Sequence, residues 1–345
     1  MSFMLQEIGE QPDWISRAIT GERKNAAALA KAVKERDIQF VVIAARGTSD
    51  NAATYAKYLI EIVTGLPVAL AAPSVFTLYD SNLSLKNALV IGISQSGEGT
   101  DVNQVLASAR KCGALTACIT NHEKSSLADE VEFLLLCHAG EEKAVAATKT
   151  YTTALAVVAL LVGSMSGSND FMGQLDEVAN GVDKTLALKS EISEIVERYR
   201  YMSECAVLAR GINQATALEA SLKMTETSYV VAKPYSGADF LHGPIAMVDN
   251  GFPCFLYAPS GKASQSLAEL AQKVKSRDAE IIVISDIPEV LKFGDRPIKL
   301  PVTVNELLSP MTAIIPGQLF AYYLAVTRGG DPDNPRGLKK VTQTV

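Results

Sequence analysis

The sequence predicts an α/β fold of two tandem, doubly wound parallel sheets with flanking helices. Short apolar, β-branched segments alternate with helical patterns along the chain. Those segments are nearly continuous apolar runs, as expected of strands covered by helices on both faces. The pattern then restarts at a common offset. Ala45-Arg46-Gly47 returns as Ala209-Arg210-Gly211, and Ser96-Gly97 returns as Ser260-Gly261 at the identical spacing. Ile119-Thr120 is echoed by Ile284-Ser285 at nearly that spacing. One offset shared by three strand ends marks two copies of one unit.

A helix over Ser16–Arg36 opens the chain. The first copy, from about Gln39 to Cys137, carries strands at Phe40–Ala45, Val68–Ala71, Ala88–Ile93, Leu115–Thr120 and Phe133–Cys137. Helices at Asn51–Val63, Asp101–Cys112 and Ser125–Glu130 lie between them. A long helical region, Ala144–Met202, follows, broken once at Gly163–Ser168. The second copy spans about Ala206–Val302, and a helical tail follows Leu307. The expected organisation is a helical segment at 1–36, a first α/β domain at 37–168, connecting helices at 169–200, a second α/β domain at 201–330 and a tail at 331–345.

Composition narrows the function. The chain has 345 residues, 48% hydrophobic and 20% charged, enough to bury large cores. A net charge of −6 and a pI near 5.3 oppose binding to a nucleic-acid backbone. The start has no basic or apolar leader. The longest apolar run, Ala154–Val162, is half of the ~20 residues a membrane span needs. The five cysteines (Cys112, Cys118, Cys137, Cys205, Cys254) form no CxxC and read as reduced thiols of a cytoplasmic protein. Three histidines without paired spacing predict no zinc site. The expected partner is a small molecule, with no nucleic acid and no membrane.

Ligands of open α/β sheets bind at the carboxyl ends of strands. Two such ends in the first copy are Gly/Ser/Thr loops running into helices: Arg46-Gly47-Thr48-Ser49-Asp50 and Ser94-Gln95-Ser96-Gly97-Glu98-Gly99-Thr100. Hydroxyls and free backbone N–H groups at a helix start suit a phosphate. Each loop alone reads equally as turns and caps; two in one unit favour a phosphate site. There is no G-x-G-x-x-G or Walker pattern. The second copy loses the hydroxyls. Its first helix gains Glu219, Lys223 and Glu226 at i, i+4 and i+7, one polar stripe. That stripe is either a solvated salt-bridge ladder or, at a helix that begins on a strand end, a general base beside a lysine. His242, in a shaped Leu-His-Gly-Pro loop, is a weaker catalytic candidate. His122, His138 and the basic stretch Asn334–Lys340 read as structural or terminal.

Taken in order, these motifs resemble the sugar-isomerase (SIS) domain family, in the branch of the isomerase region of glucosamine-6-phosphate synthase. The carriers are Arg46-Gly47-Thr48-Ser49, Ser94-Gln95-Ser96-Gly97-Glu98, Val145-Ala146-Ala147-Thr148-Lys149-Thr150, Ala217-Leu218-Glu219 through Tyr229, His242-Gly243-Pro244 and Asp333-x-Pro335-Arg336-x-Leu338-x-Lys340. The resemblance implies two flavodoxin-like SIS domains and a homodimer that shares its sites. It implies that Thr48, Ser49, Ser94, Gln95 and Ser96 bind the sugar phosphate, with Thr100, Ala147 and Glu219 also at the sugar. Glu226 would move a proton between C1 and C2 and Lys223 would support the enolate or enolamine charge. His242 would open the ring from a neighbouring subunit. Lys340, on a tail closing the active site, would stand near the carbonyl.

The departures from that family define the expected reaction. No cysteine precedes Cys112 in this sequence, and no counterpart of the synthase's glutaminase nucleophile is expected. Gly99 stands where a phosphate-binding hydroxyl is expected, Ala147 replaces a serine, and Lys339-Lys340 replaces Ala-Lys. The expectation is an isomerising deaminase, converting glucosamine 6-phosphate and water to fructose 6-phosphate and ammonia without metal or organic cofactor. The alternatives are a fructosamine-phosphate deglycase or another ketose/aldose phosphosugar isomerase, and a non-catalytic sugar-phosphate sensor.

Overall fold

The computed structural model describes residues 2–340. The chain starts with α1 (Phe3–Gly9) and α2 (Gln11–Glu35). The first repeat runs β1 (Phe40–Ala44), α3 (Thr48–Thr64), β2 (Val68–Leu70), α4 (Ser74–Thr77), β3 (Ala88–Ser94), α5 (Thr100–Lys111), β4 (Leu115–Thr120), α6 (Ser126–Asp129) and β5 (Phe133–Leu136). Helices α7 (Lys149–Ser166), α8 (Asn169–Asp176), α9 (Val178–Leu186) and α10 (Lys189–Val196) follow. The second repeat runs β6 (Glu204–Ala209), α11 (Gln214–Ser228), β7 (Val231–Ser236), α12 (Gly237–Leu241), β8 (Pro253–Tyr257), α13 (Ser264–Lys275), β9 (Glu280–Ser285), α14 (Pro288–Leu291) and β10 (Arg296–Lys299), and α15 (Ser309–Thr327) closes it.

The chain folds as two compact units. Of the described residues, one holds 11–142, 149–177 and 339–340, and so the first repeat; the other holds 2–10, 143–148 and 178–338, and so the second. Each contains one five-stranded sheet, in the order β2-β1-β3-β4-β5 and β7-β6-β8-β9-β10. All pairings are parallel, for example Ala44↔Gly92 and Leu208↔Leu256. The two orders are the same order, and the repeat is visible in the register of the helices. The start of α5 at Thr100 and of α13 at Ser264 are separated by the same offset that relates Ser96 to Ser260. The central strands are buried along almost their whole length because helices cover both sheet faces. In each sheet the winding reverses between the first and third strands, β1/β3 and β6/β8, which is where a doubly wound sheet opens a crevice.

Three details differ from expectation. The N-terminal helix is longer, and α1 precedes it. Residues 144–148 are not helical: α7 begins at Lys149. The Glu142 carboxylate accepts from the Thr150 backbone N–H at 3.1 Å and from its hydroxyl at 2.7 Å, capping α7 from outside. In the other unit the Glu7 carboxylate accepts from the backbone N–H of Lys143 and Ala144. Thirdly, α7 is long and apolar enough to cross a membrane by length and composition, yet 83% of it is buried inside the protein. It packs on α2 and α3, and an all-apolar helix of this kind is a core helix. It stops at Gly167, whose φ of +67° suits glycine, and the Ser168 hydroxyl caps α8 through the Phe171 N–H.

All five cysteines are free and four are buried. Burial pushes the Cys118, Cys137 and Cys254 thiols up to about 12, so these thiols are inert packing groups.

Candidate functional site

In the unit that holds the first repeat, the loops after β1 and β3 leave neighbouring strands at the reversal of winding. After β1, Gly47 takes φ +56°, and α3 starts at Thr48 with no side-chain cap. After β3, Gly97 takes φ +69°, and α5 starts at Thr100, again with no side-chain cap. A Cβ on Gly97 would sit 2.3 Å from Ser125 Oγ, so only glycine lets this loop close. The loop is shaped from within. Ser94 Oγ accepts from Gly97 N at 3.1 Å and Ser96 Oγ from Glu98 N at 3.2 Å. The Glu98 carboxylate turns onto α6, accepting from the Ser126 hydroxyl at 2.8 Å and from Ser126 N at 3.2 Å. Glu98 thus ties the loop to α6.

The donors that remain are of the kind that suits an anion at a helix start. The hydroxyl protons of Ser49, Ser94, Ser96 and Thr100, and the Ser96 backbone N–H, meet no acceptor among the described residues. Thr48 and Gln95 lie in the same two loops, Thr48 on the first turn of α3. Arg46 adds charge: its Nε lies 2.6 Å from Asp101 Oδ2, a carboxylate only 2% exposed, while the arginine side chain is half exposed. Burial raises the Asp50 carboxyl above its ordinary value and Arg46 partly offsets this.

In the same unit Lys340 Nζ pairs with Glu142 Oε2 at 2.9 Å, and that carboxylate is fully buried. The basic stretch is therefore tied down through residue 340 rather than frayed. Residues 341–345 of the expected tail lie outside the described residues.

The unit that holds the second repeat carries the stripe on α11. Glu219 and Lys223 are fully buried, and Glu226 keeps 24% of its side chain exposed. Lys223 Nζ stands 2.6 Å from Glu226 Oε2 and 3.4 Å from Glu219 Oε1. A solvated ladder is therefore the wrong description: this is one buried cation held between two carboxylates, one of them reachable. Its place on the helix also differs from expectation. Glu226 lies on the last turn of α11, about 18 Å along the helix from Gln214 at ~1.5 Å per residue, so it is far from the carboxyl end of β6.

His242 follows α12 as its C-cap residue, with its backbone N–H on Asp239 O. Its side chain is exposed and has no hydrogen-bond partner among the described residues. Ala147 lies in the irregular stretch before α7, half-buried. His138, by contrast, is structural: its Nε2 stands 2.6 Å from the buried Glu22. The sequence signal for Glu142, Arg46–Asp101 and Ser126 was absent, because each pairing joins residues far apart in the chain.

The chain spans two matches to a family model described as the SIS domain, residues 36–164 and 203–328. It is 36% identical over 98% of its length to the glutamine–fructose-6-phosphate aminotransferase (isomerizing) of Thermococcus kodakarensis, and covers 57% of that relative. The chain thus spans little more than half the length of the curated relatives it matches. A Silicibacter pomeroyi structure provisionally named a phosphosugar isomerase superposes with a TM-score of 0.87 at 33% identity, over 96% of this chain and 100% of that one. A Thermotoga maritima structure named glucosamine-6-phosphate deaminase shares the fold, with a TM-score of 0.81 at 23% identity over 99% of this chain and 100% of that one.

Proposed function

We propose that this chain, which belongs to the SIS domain family, is a phosphosugar isomerase, and specifically an isomerising deaminase of an amino-sugar phosphate with glucosamine 6-phosphate as substrate. The observation that carries the reading is the Lys223 ammonium, clamped in the protein interior between Glu219 and the reachable Glu226. A carboxylate fixed against a buried cation is equipped to take a proton from carbon while the cation stabilises the oxyanion or enolamine that forms.

In this reading the phosphate is held by Thr48, Ser49, Ser94, Gln95, Ser96 and Thr100. Three or four charge-assisted hydrogen bonds at ~1.5–3 kcal/mol each suffice to anchor it. Glu219 and Ala147 shape the sugar pocket. His242 assists opening of the pyranose to the aldehyde. Glu226 takes the C2 proton, giving the enolamine, and returns a proton to C1. The product is the keto imine, which water hydrolyses to fructose 6-phosphate and ammonia. Lys340, held by Glu142, brings the tail to the carbonyl end. The carbonyl itself acidifies the C–H, so this chemistry asks no further group of the protein.

The test is ammonia release across a panel of hexosamine 6-phosphates and fructose–amino-acid phosphates. Equimolar ammonia and fructose 6-phosphate from glucosamine 6-phosphate is the expected result. Release of a free amino acid from the adducts, with no ammonia from any hexosamine phosphate, would replace this reading with a deglycase. Saturable binding without turnover of either class would replace it with a sensor.

A further inference from the structure

The two repeats have the same strand order, but their β3-type loops end differently. In the first repeat Asn121, the residue just past β4, turns its side chain away, onto Gly140 O at 2.7 Å and Ala139 N at 2.8 Å. The Ser96 N–H and hydroxyl proton are then left without an acceptor among the described residues. In the second repeat the residue just past β9 is Asp286, and it turns the other way. Its carboxylate accepts from Ser260 N at 2.7 Å, from the Ser260 hydroxyl at 2.7 Å and from the Thr303 hydroxyl at 2.6 Å. Ser260 is the counterpart of Ser96 at the common offset of the two repeats. The two Ser260 donors of this loop thus converge on an anion that belongs to the chain.

A second carboxylate reinforces the block. A Cβ on Gly261 would stand 2.2 Å from Glu306 Cδ, where the corresponding Gly97 faces the neutral Ser125. Two further features of the first repeat's site are kept, while Ile212, Asn213 and Ala258 stand where the first repeat has the hydroxyls of Thr48, Ser49 and Ser94. Arg210, the counterpart of Arg46, is exposed and has no ion-pair partner among the described residues, because Gln265 stands where Asp101 holds Arg46. Gly211 keeps its positive φ of +64°, as Gly47 does.

From this we infer that Asp286 is an internal substitute for a phosphate: it fills the second repeat's anion loop and limits the chain to one phosphomonoester, the one bound by the first repeat. A bound carboxylate satisfies the loop's donors and repels a dianion, so the second loop stays rigid and unreactive. The inference rests on the phosphate reading of the first loop.

The test counts sites by isothermal titration with glucitol 6-phosphate, a linear hexitol phosphate that has no carbonyl and cannot turn over. The proteins are the wild type, Asp286→Ser/Glu306→Gln, and Asp286→Asn/Glu306→Gln. The asparagine version keeps the acceptor carbonyl and guards against misfolding, and unchanged turnover certifies each variant's first site. One site per chain in the wild type and two in at least one variant is the expected result. One site in the wild type and in both folded variants would overturn the role of Asp286 and leave the first loop's assignment standing. Two sites in the wild type would overturn it as well. No site in the wild type would remove the phosphate reading on which the inference stands.

Discussion

The Lys223 ammonium lies 2.6 Å from Glu226 Oε2 on the same helix, and nothing of the lysine reaches solvent. An i,i+3 pair on a surface helix contributes only ~0.2–0.5 kcal/mol. Here the cation is buried, and two carboxylates within 3.4 Å neutralise it. The pair is therefore worth little as an ornament of stability and much as a fixed electrostatic device.

Replacing Lys223 by Met removes the charge that the buried Glu219 faces. The folded state should lose about 3–5 kcal/mol, the cost of breaking a buried pair from one side. Chemical denaturation measures it. Adding Glu219→Gln should restore part of the loss without restoring turnover, and a full-strength fold with the single Lys223→Met variant would contradict the buried-pair account.

The Ser94–Thr100 loop, on the proposed phosphate reading, makes a different demand. Ser94→Ala and Ser96→Ala should each raise KM for a sugar phosphate by about ten- to a hundredfold, the equivalent of ~1.5–3 kcal/mol per charge-assisted hydrogen bond. Turnover at saturation should fall far less. Steady-state kinetics separates the two. A fall in kcat at constant KM would place these hydroxyls at the reacting carbons instead.

Gly97→Ala strains a φ of +69° and drives a methyl against Ser125 Oγ. The expected loss is ~1–3 kcal/mol of stability together with weaker phosphate binding. Removing the Ser125 side chain in the double variant Gly97→Ala/Ser125→Gly should relieve the clash but not the backbone strain, so thermal unfolding should show a partial recovery.

One contribution to acid stability lies away from these loops. Hydrogen bonds from Arg198, and secondarily from Tyr199, hold the Glu280 carboxyl below its ordinary 4.5. A depressed folded value means stability that is present above about 4.5 and is lost as pH falls through the folded value. Arg198→Met should therefore weaken the fold near neutrality, and the difference from wild type should shrink on acidification. Unfolding curves across that window would show it; a difference that grows toward acid pH would contradict the assignment.

The parts of this molecule that were legible in the sequence are those governed by local chemistry. Strands β1, β3 and β4 are nearly continuous apolar runs because both faces of a parallel sheet are covered, and such runs announce themselves. The Ser94–Thr100 loop was legible because hydroxyls and glycine concentrate between strand and helix. Long-range satisfaction was not legible. Nothing near Glu142 foretells that it caps α7 and receives Lys340, and nothing near Asp286 foretells that it turns onto Ser260. The spacing of Glu219, Lys223 and Glu226 shows one stripe but not whether that stripe is wet. Apolar neighbours surround α11 on several sides, so its polar stripe faces the interior.

The most direct measurement of the central claim follows the hydrogen at C2. Glucosamine 6-phosphate carrying deuterium at C2 is incubated with wild-type protein and with Glu226→Gln, and the label is read by NMR. The account predicts that the wild type moves the deuterium to C1 or loses it to water, whereas the glutamine variant binds the sugar and leaves the label at C2. Loss of the label at an undiminished rate in that variant would contradict it.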